Sequence, residues 1–269
     1  MLRFMSFSSG SCGNCYYLGT GERGVLIDAG VSLSKLRRDM AANGLSESSF
    51  SSILVTHNHA DHVRNIGPFC KKLHRPVYVT DVLKGALLSR PDPEYVSGCL
   101  KVLEPDVWND VDGFSVRYFI VPHDAVQTVG YAISAEGHRF VIMTDIGRMT
   151  DEAVAFARQA DTVVLESNYD MDMLMAGPYT YDLKMRIVQG CGHLSNDECA
   201  AAVRRFVHPG LKNIFLCHLS ENNNTPRLAY DCSAAALRSA LSESGDAVNI
   251  PSLRCLPRRT ASPLFILGD

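Results

Sequence analysis

The sequence predicts an α/β protein of two β-sheets with helices packed outside them. Three observations carry this reading. Short apolar strands come in clusters with helices interspersed, which does not fit a simple alternating parallel sheet. Several of those strands end on a polar residue at the start of a loop, where such sheets present their site residues. The chain of 269 residues is 46% hydrophobic and 20% charged, ordinary globular usage that excludes a disordered chain, a collagen-like repeat or a coiled coil. A single domain over 1–269 is expected, because no low-complexity linker, charge run or repeat divides the sequence.

The elements follow in order. Arg3–Ser8 and Cys15–Leu18 read as strands around a Ser- and Gly-rich turn. Gly24–Ile27 is a short apolar strand ending at Asp28. Ser32–Asn43 has helical spacing (Leu33, Leu36, Met40) and stops before Gly44. Ser52–Val55 is a buried strand, followed by a helix over Asp61–Leu73 and a strand at Val77–Thr80. Val102–Glu104, Phe114–Val121, Thr128–Ser134 and Arg139–Met143 alternate or are continuously apolar, as strands do. Thr150–Arg158 is a helix with Asp151 and Glu152 in its first turn, where the helix dipole favours them. Asp161–Leu165 is a strand and Tyr181–Val188 a helix. Ser195 and Glu198 form a capping box that opens a helix over Glu198–Val207. Asn213–Cys217 is a strand, and Pro226–Ser242 a helix.

Net charge is −3, so no global basic field points to nucleic acid, although Arg (19) far outnumbers Lys (7) and supplies planar donors suited to phosphate. No run of 18 apolar residues exists, so no membrane span is expected. Met1–Gly10 lacks the charged and apolar regions of a signal peptide. Nine scattered Cys then suggest a reduced, cytoplasmic protein with free thiols. Cys12 and Cys15 have the C-x-x-C spacing, but no βαβ context surrounds them, and two small residues in a strand–turn–strand is the preferred reading.

The strongest chemical signal is His57-x-His59-x-Asp61-His62. Three imidazoles and a carboxylate within six residues are most economically a metal site. At a strand end, His57 and His59 point the same way because side chains alternate with period two. Asp61 and His62 begin the next turn and face a neighbouring point, which suits two adjacent metals better than one. Imidazole and carboxylate favour Zn, Mn or Fe. Further ligand types stand at strand ends: His123, Asp145 and His218. Each is weak alone, but together they supply the missing ligands for two metals.

The order Asp28, His57-x-His59-x-Asp61-His62, His123, Asp145, His218 resembles the five motifs of the metallo-β-lactamase superfamily over nearly the whole chain. The resemblance implies an αββα sandwich of two mixed β-sheets flanked by helices, with a site for two divalent metal ions, Zn or Mn, at one edge. It implies that His57, His59 and His123 hold one metal, that Asp61, His62 and His218 hold the other, and that Asp145 bridges them. Asp28 would orient the cluster by hydrogen bonds. One departure is Asn58, where many members carry an acidic residue; it does not touch the ligand set.

Superfamily membership does not fix a substrate. Ser9-Gly10-Ser11-x-Gly13-Asn14-Cys15, Glu166-Ser167-Asn168-Tyr169-Asp170, Gly192-His193-Leu194-Ser195-Asn196 and His218-Leu219-Ser220-x-x-Asn223 resemble the YycJ/WalJ-like exonuclease subfamily. That resemblance implies 5′ to 3′ degradation of DNA duplex ends, in which a hydroxide bridging two metals attacks phosphorus. Asp61 and His193 are the catalytic candidates. His193 would contact the scissile phosphate or protonate the leaving oxygen, or else only pack beside the capped helix. Ser9, Ser11, Asn14, Asn168, Ser195 and Asn196 are candidates for contacting substrate phosphate, the helix N-terminus at Ser195 being suited to an anion. The turn at residues 8–14 reads equally as a tight hairpin. Arg148, close after Asp145 in sequence, is an arginine candidate for the mouth of the site.

The alternative is a metallohydrolase of the same fold acting on RNA, a cyclic phosphodiester, a thioester or a lactone. The 72 residues between Asp145 and His218 are too few for the inserted domain of the RNA-processing β-CASP branch. A non-catalytic metal-binding protein is disfavoured by the complete ligand set.

Overall fold

The computed structural model describes residues 1–21, 23–90, 93–244 and 250–268. Its centre is two seven-stranded mixed sheets. The first contains β1 (Leu2–Ser8), β2 (Cys15–Gly19), β3 (Gly24–Ile27), β4 (Ser52–Leu54), β5 (Val77–Val79) and β6 (Leu100–Val102). The second contains β7 (Asn109–Val111), β8 (Phe114–Val121), β9 (Thr128–Ala135), β10 (His138–Met143), β11 (Thr162–Glu166), β12 (Asn213–Cys217) and β13 (Ser252–Cys255). A last strand, β14 (Phe265–Leu267), closes the first sheet beside β1.

Each sheet is half antiparallel and half parallel. In the first, β14, β1, β2 and β3 pair antiparallel, and β3 through β6 pair parallel. In the second, β7 through β10 pair antiparallel, and β10 through β13 pair parallel. The parallel strands β3, β4 and β11 are buried on both faces, which explains why they read as unbroken apolar runs.

One apolar layer lies between the sheets. Phe4 on β1 is 5.2 Å from Phe140 and 5.0 Å from Phe215, ring to ring, and so ties the two sheets together. Two further layers lie outside. Against the first sheet pack α1 (Leu33–Ala41), α3 (Ile66–Leu73), α4 (Asp81–Leu88) and α5 (Pro93–Ser97), through residues such as Leu36, Phe69, Leu83 and Val96. Against the second pack α6 (Asp151–Ala157), α9 (Asn196–Phe206) and α10 (Pro226–Ser244), through residues such as Val154, Phe206 and Leu237. Burying each such aliphatic or Phe side chain contributes about 1.5–3 kcal/mol before entropy is counted. The expected αββα sandwich is therefore the observed one.

Some boundaries differ from expectation for local reasons. The helix expected over Asp61–Leu73 is two helices, α2 (Ala60–Val63) and α3. Asn65 stands between them because its backbone N–H donates to Ala29 O (3.1 Å) and its side chain to Gly30 O (3.1 Å), and these bonds pull the chain out of register. The strand expected at Val102–Glu104 sits two residues earlier, where β6 pairs with β5. The capping box at Ser195 forms as expected, with Glu198 N donating to Ser195 Oγ at 3.1 Å. All nine cysteines are free, and no helix among the described residues is long and apolar enough to cross a membrane.

Candidate metal centre

The strand directions bring the site together. β3, β4, β10, β11 and β12 are parallel strands of their sheets, and β8 runs in the same sense as β10 with β9 antiparallel between them. Their C-terminal ends therefore lie at one edge of the sandwich. They deliver Asp28, the Thr56–His62 segment, His123, Asp145, Glu166 and His218 in turn. Two of these residues sit in left-handed backbone, Asp28 (φ 65°) and His218 (φ 52°), so both strands turn sharply where they reach the site. Gly30 lets the β3 end approach closely: a Cβ there would run into the Asp61 carbonyl oxygen and the Asn14 backbone.

Six of the nine histidines converge at this edge, grouped with Asp61, Asp145 and Glu166. His57, His59 and His123 form one cluster; Asp61, His62 and His218 form another; Asp145 groups with members of both. Each imidazole has one nitrogen committed to a protein acceptor, which fixes its tautomer and turns the other nitrogen inward. His62 Nδ1 donates to Asp28 Oδ2 (2.7 Å). Thr56 Oγ1 donates to Asp28 Oδ2 (2.8 Å) and so receives the His57 Nδ1 proton (3.1 Å). His123 Nδ1 donates to Gly192 O (2.7 Å), and His59 Nε2 to Asp124 O (3.3 Å). His218 Nδ1 and His193 Nδ1 both donate to Glu166 Oε1, at 2.9 and 2.7 Å.

The inward atoms have the signature of a cation site. His57 Nε2, His218 Nε2 and Asp145 Oδ2 are buried and have no hydrogen-bond partner among the described residues. His123 Nε2 and His59 Nδ1 face each other at 3.3 Å with both their protons committed elsewhere. Two lone pairs so placed repel unless a cation lies between them. Asp145 Oδ2 is 3.0 Å from His62 Nε2 without hydrogen-bonding geometry. These buried His/Asp/Glu clusters fit a dinuclear metal site.

The electrostatics agree. Burial holds His57 and His123 below the usual histidine value, so both are neutral donors. At His62 burial works against charge, but Asp145 and Asp28 outweigh it and push the pKa up to about 10. His218 is raised in the same way, by Asp145, Asp61 and Glu166 against its burial. Despite burial, Asp145 is held well below the carboxylate range by His218 and His62. The site thus carries surplus negative charge that takes up protons when no metal ion is present.

Glu166, which the sequence marks only as part of a subfamily-like motif and not as a site residue, belongs to the site. It is fully buried and accepts four hydrogen bonds: two from the imidazoles, one from Ile146 N (2.9 Å) and one from Leu194 N (3.2 Å). Its sequence signals are an acid at the end of an apolar strand and its place at the head of the Glu166–Asp170 motif, neither of which assigns it a role. By this carboxylate His193 is tied to the metal centre, with its side chain 24% exposed on the cleft. Burial opposes charge on His193, and Glu166 more than restores it, so the pKa is raised.

The cleft above the clusters encloses roughly 270 Å³ and is walled by α8 (Tyr181–Val188) through Leu183, Arg186 and Ile187. Of the residues expected to meet phosphate, Ser11 and Asn168 line it. The others turn inward. Ser9 Oγ is 2.9 Å from Tyr16 OH and accepts from His218 N. Asn14 is buried and donates to Asp61 Oδ2 (3.1 Å). Ser195 caps α9, and Asn196 bonds Ser167 and Asn224. Asp28 holds Thr56 and His62 as expected. Arg148 is exposed and does not line the cleft; Arg186 does, paired with Asp124.

Fold and site together define a metal-dependent hydrolase. Residues 23–215 match the Beta-lactamase superfamily domain. The chain is 33% identical to the exodeoxyribonuclease YycJ of Bacillus anthracis over 233 residues, 85% of this chain and 86% of the relative. It is 32% identical over 232 residues to the exodeoxyribonuclease WalJ of Streptococcus pneumoniae serotype 2, covering 85% of each. Among solved structures, Zn(2+)-bound PqqB from Methylobacterium extorquens superposes with a TM-score of 0.69 at 18% identity, over 97% of this chain and 99% of that one. The chain belongs to the metallo-β-lactamase superfamily.

Proposed function

We propose that this protein is a two-metal phosphodiesterase that degrades DNA exonucleolytically from the 5′ end, working as one domain over 1–269 and, with its thiols reduced, in the cytoplasm. The observation that carries the substrate is the likeness to exodeoxyribonucleases over 85% of the chain. The 5′ to 3′ polarity rests on the subfamily resemblance. His57, His59 and His123 would hold one divalent ion, Zn or Mn, and Asp61, His62 and His218 the other, with Asp145 between. When bound, the ions supply a nucleophilic oxygen at neutral pH and neutralise phosphate charge.

The protein's own residues do the remaining work. Asp28 keeps His62 aimed inward, and the Gly192 carbonyl does the same for His123. Glu166 holds a proton on Nδ1 of His193 and favours the charged ring. His193 Nε2–H is then free to donate to a phosphate oxygen or to the departing alkoxide. Ser11, on the cleft wall, is the contact for the flanking phosphate, while Asn168 beside it has its amide nitrogen committed to the His218 carbonyl (2.8 Å).

End-labelled duplex DNA and RNA incubated with the Zn- or Mn-loaded protein test this. The expected product is a ladder shortened from the 5′ end of DNA. Intact DNA beside turnover of RNA, a cyclic phosphodiester, a thioester or a lactone would replace this substrate with the alternative one.

A further inference from the structure

Away from the metal centre, a groove of roughly 730 Å³ runs between α3 and α5. Among the described residues its walls carry four cations, Arg64, Lys71, Lys72 and Arg90, against one carboxylate, Glu94. On a chain of net charge −3 this is a local reversal of sign. None of the four cations has a carboxylate within ion-pair distance among the described residues. By contrast, Arg37, Arg204, Arg205 and Arg259 elsewhere on the surface are each paired. Tyr95 is 39% exposed in the same groove, with Lys71 Nζ 4.5 Å from its ring centroid.

One hydrogen bond links the wall of the groove to the loop beside the catalytic cleft. Ser11 lines that cleft, and the next residue, Cys12, accepts a hydrogen bond from Arg64 Nη2 (2.9 Å) through its carbonyl. Cations without carboxylate partners, placed to follow a backbone beside an aromatic face on which a base can stack, are what binding of single-stranded nucleic acid requires. We propose that this groove holds the DNA strand beyond the scissile phosphate, the four cations on its backbone and Tyr95 under a base. This rests on the DNA reading above. Favourable placement at the end of the α3 dipole accounts for Lys71 and Lys72 but not for Arg64, Arg90 or Tyr95.

Lys71→Gln/Lys72→Gln is the test, assayed as metal-loaded enzyme on a DNA duplex with single-stranded oligodeoxythymidine ends and on bis(p-nitrophenyl) phosphate. Each lost phosphate contact lowers the salt slope by about 0.7. The double variant should therefore lower the slope of log kcat/KM against log salt by about 1.4 and raise KM about 25-fold at about 0.1 M salt. Turnover of the small diester should not change. Arg227→Gln/Arg238→Gln, on α10 in the opposite outer layer, should leave DNA kinetics as in the wild type. A wild-type enzyme that cuts DNA, with the Lys71/Lys72 variant matching its KM and salt slope, overturns the groove alone. A wild-type enzyme that cuts the small diester but not DNA overturns the substrate reading and the groove with it.

Discussion

Replacing Glu166 with Gln changes almost no volume and should disable the site. The carboxylate accepts two imidazole protons on Oε1 and two backbone N–H groups on Oε2. Gln offers one acceptor oxygen and one NH2 group. Its oxygen can serve the backbone pair, which cannot reorient, so the NH2 group then meets His193 and His218. Each ring must respond by moving its proton to Nε2. His218 Nε2, now orphaned and buried, would become a donor and could no longer ligate a cation. The expected loss is about 10–100-fold in affinity at the Asp61–His62–His218 half of the site. Turnover should fall by about 10²–10⁴ more as His193 loses its charge partner. Any donor left stranded costs about 1–3 kcal/mol of stability. Isothermal titration with Zn²⁺ and a diester assay on one preparation separate these effects. Wild-type affinity and turnover in Glu166→Gln would refute the assigned tautomers.

His193→Ala should keep both metals and the fold while losing about 10²–10⁴ in turnover; loss of a metal, or an unchanged rate, would remove it from the chemistry. Asp28→Asn, which frees His62 from its buried acceptor, should weaken metal binding about 10–100-fold, read by competition with a chromogenic chelator. Metal binding should release protons. His62, at about 10, and His218, raised above its ordinary value, are both protonated at about pH 7 without metal and must lose that proton to ligate, so affinity rises with pH. Titrations in buffers of different ionisation enthalpy should show the release, and a buffer-independent heat would contradict it.

The parts of this protein that its sequence announces are local ones. His57 to His62 lie within one turn of chain, and the Ser195–Glu198 box is complete in four residues, so neither depends on distant partners. Glu166 becomes legible only when β11 sets it beside His193 and His218, 27 and 52 residues away. The split between α2 and α3 comes from hydrogen bonds to Ala29 and Gly30, which no helical periodicity contains. β13 is partly exposed, and β14 pairs with β1 at the other end of the chain, so neither strand carries the alternation that marks β8 or the near-continuous burial of β9. α4 has a capping Thr80 and Leu83 four residues before Leu87, a signal weakened by Gly85 between them. Ser9, Asn14, Ser195 and Asn196 stand next to the site in sequence, but polarity alone does not say which side of a turn faces the cleft.

Metal stoichiometry is the most direct test of the dinuclear centre. Protein stripped with chelator, reloaded with Zn²⁺ or Mn²⁺ and freed of excess ion by gel filtration should contain two ions per chain by elemental mass spectrometry. Seven inward His and Asp donors in two clusters are too many for one tetrahedral ion. One ion or fewer per chain, at full activity on a phosphodiester, would contradict the dinuclear centre.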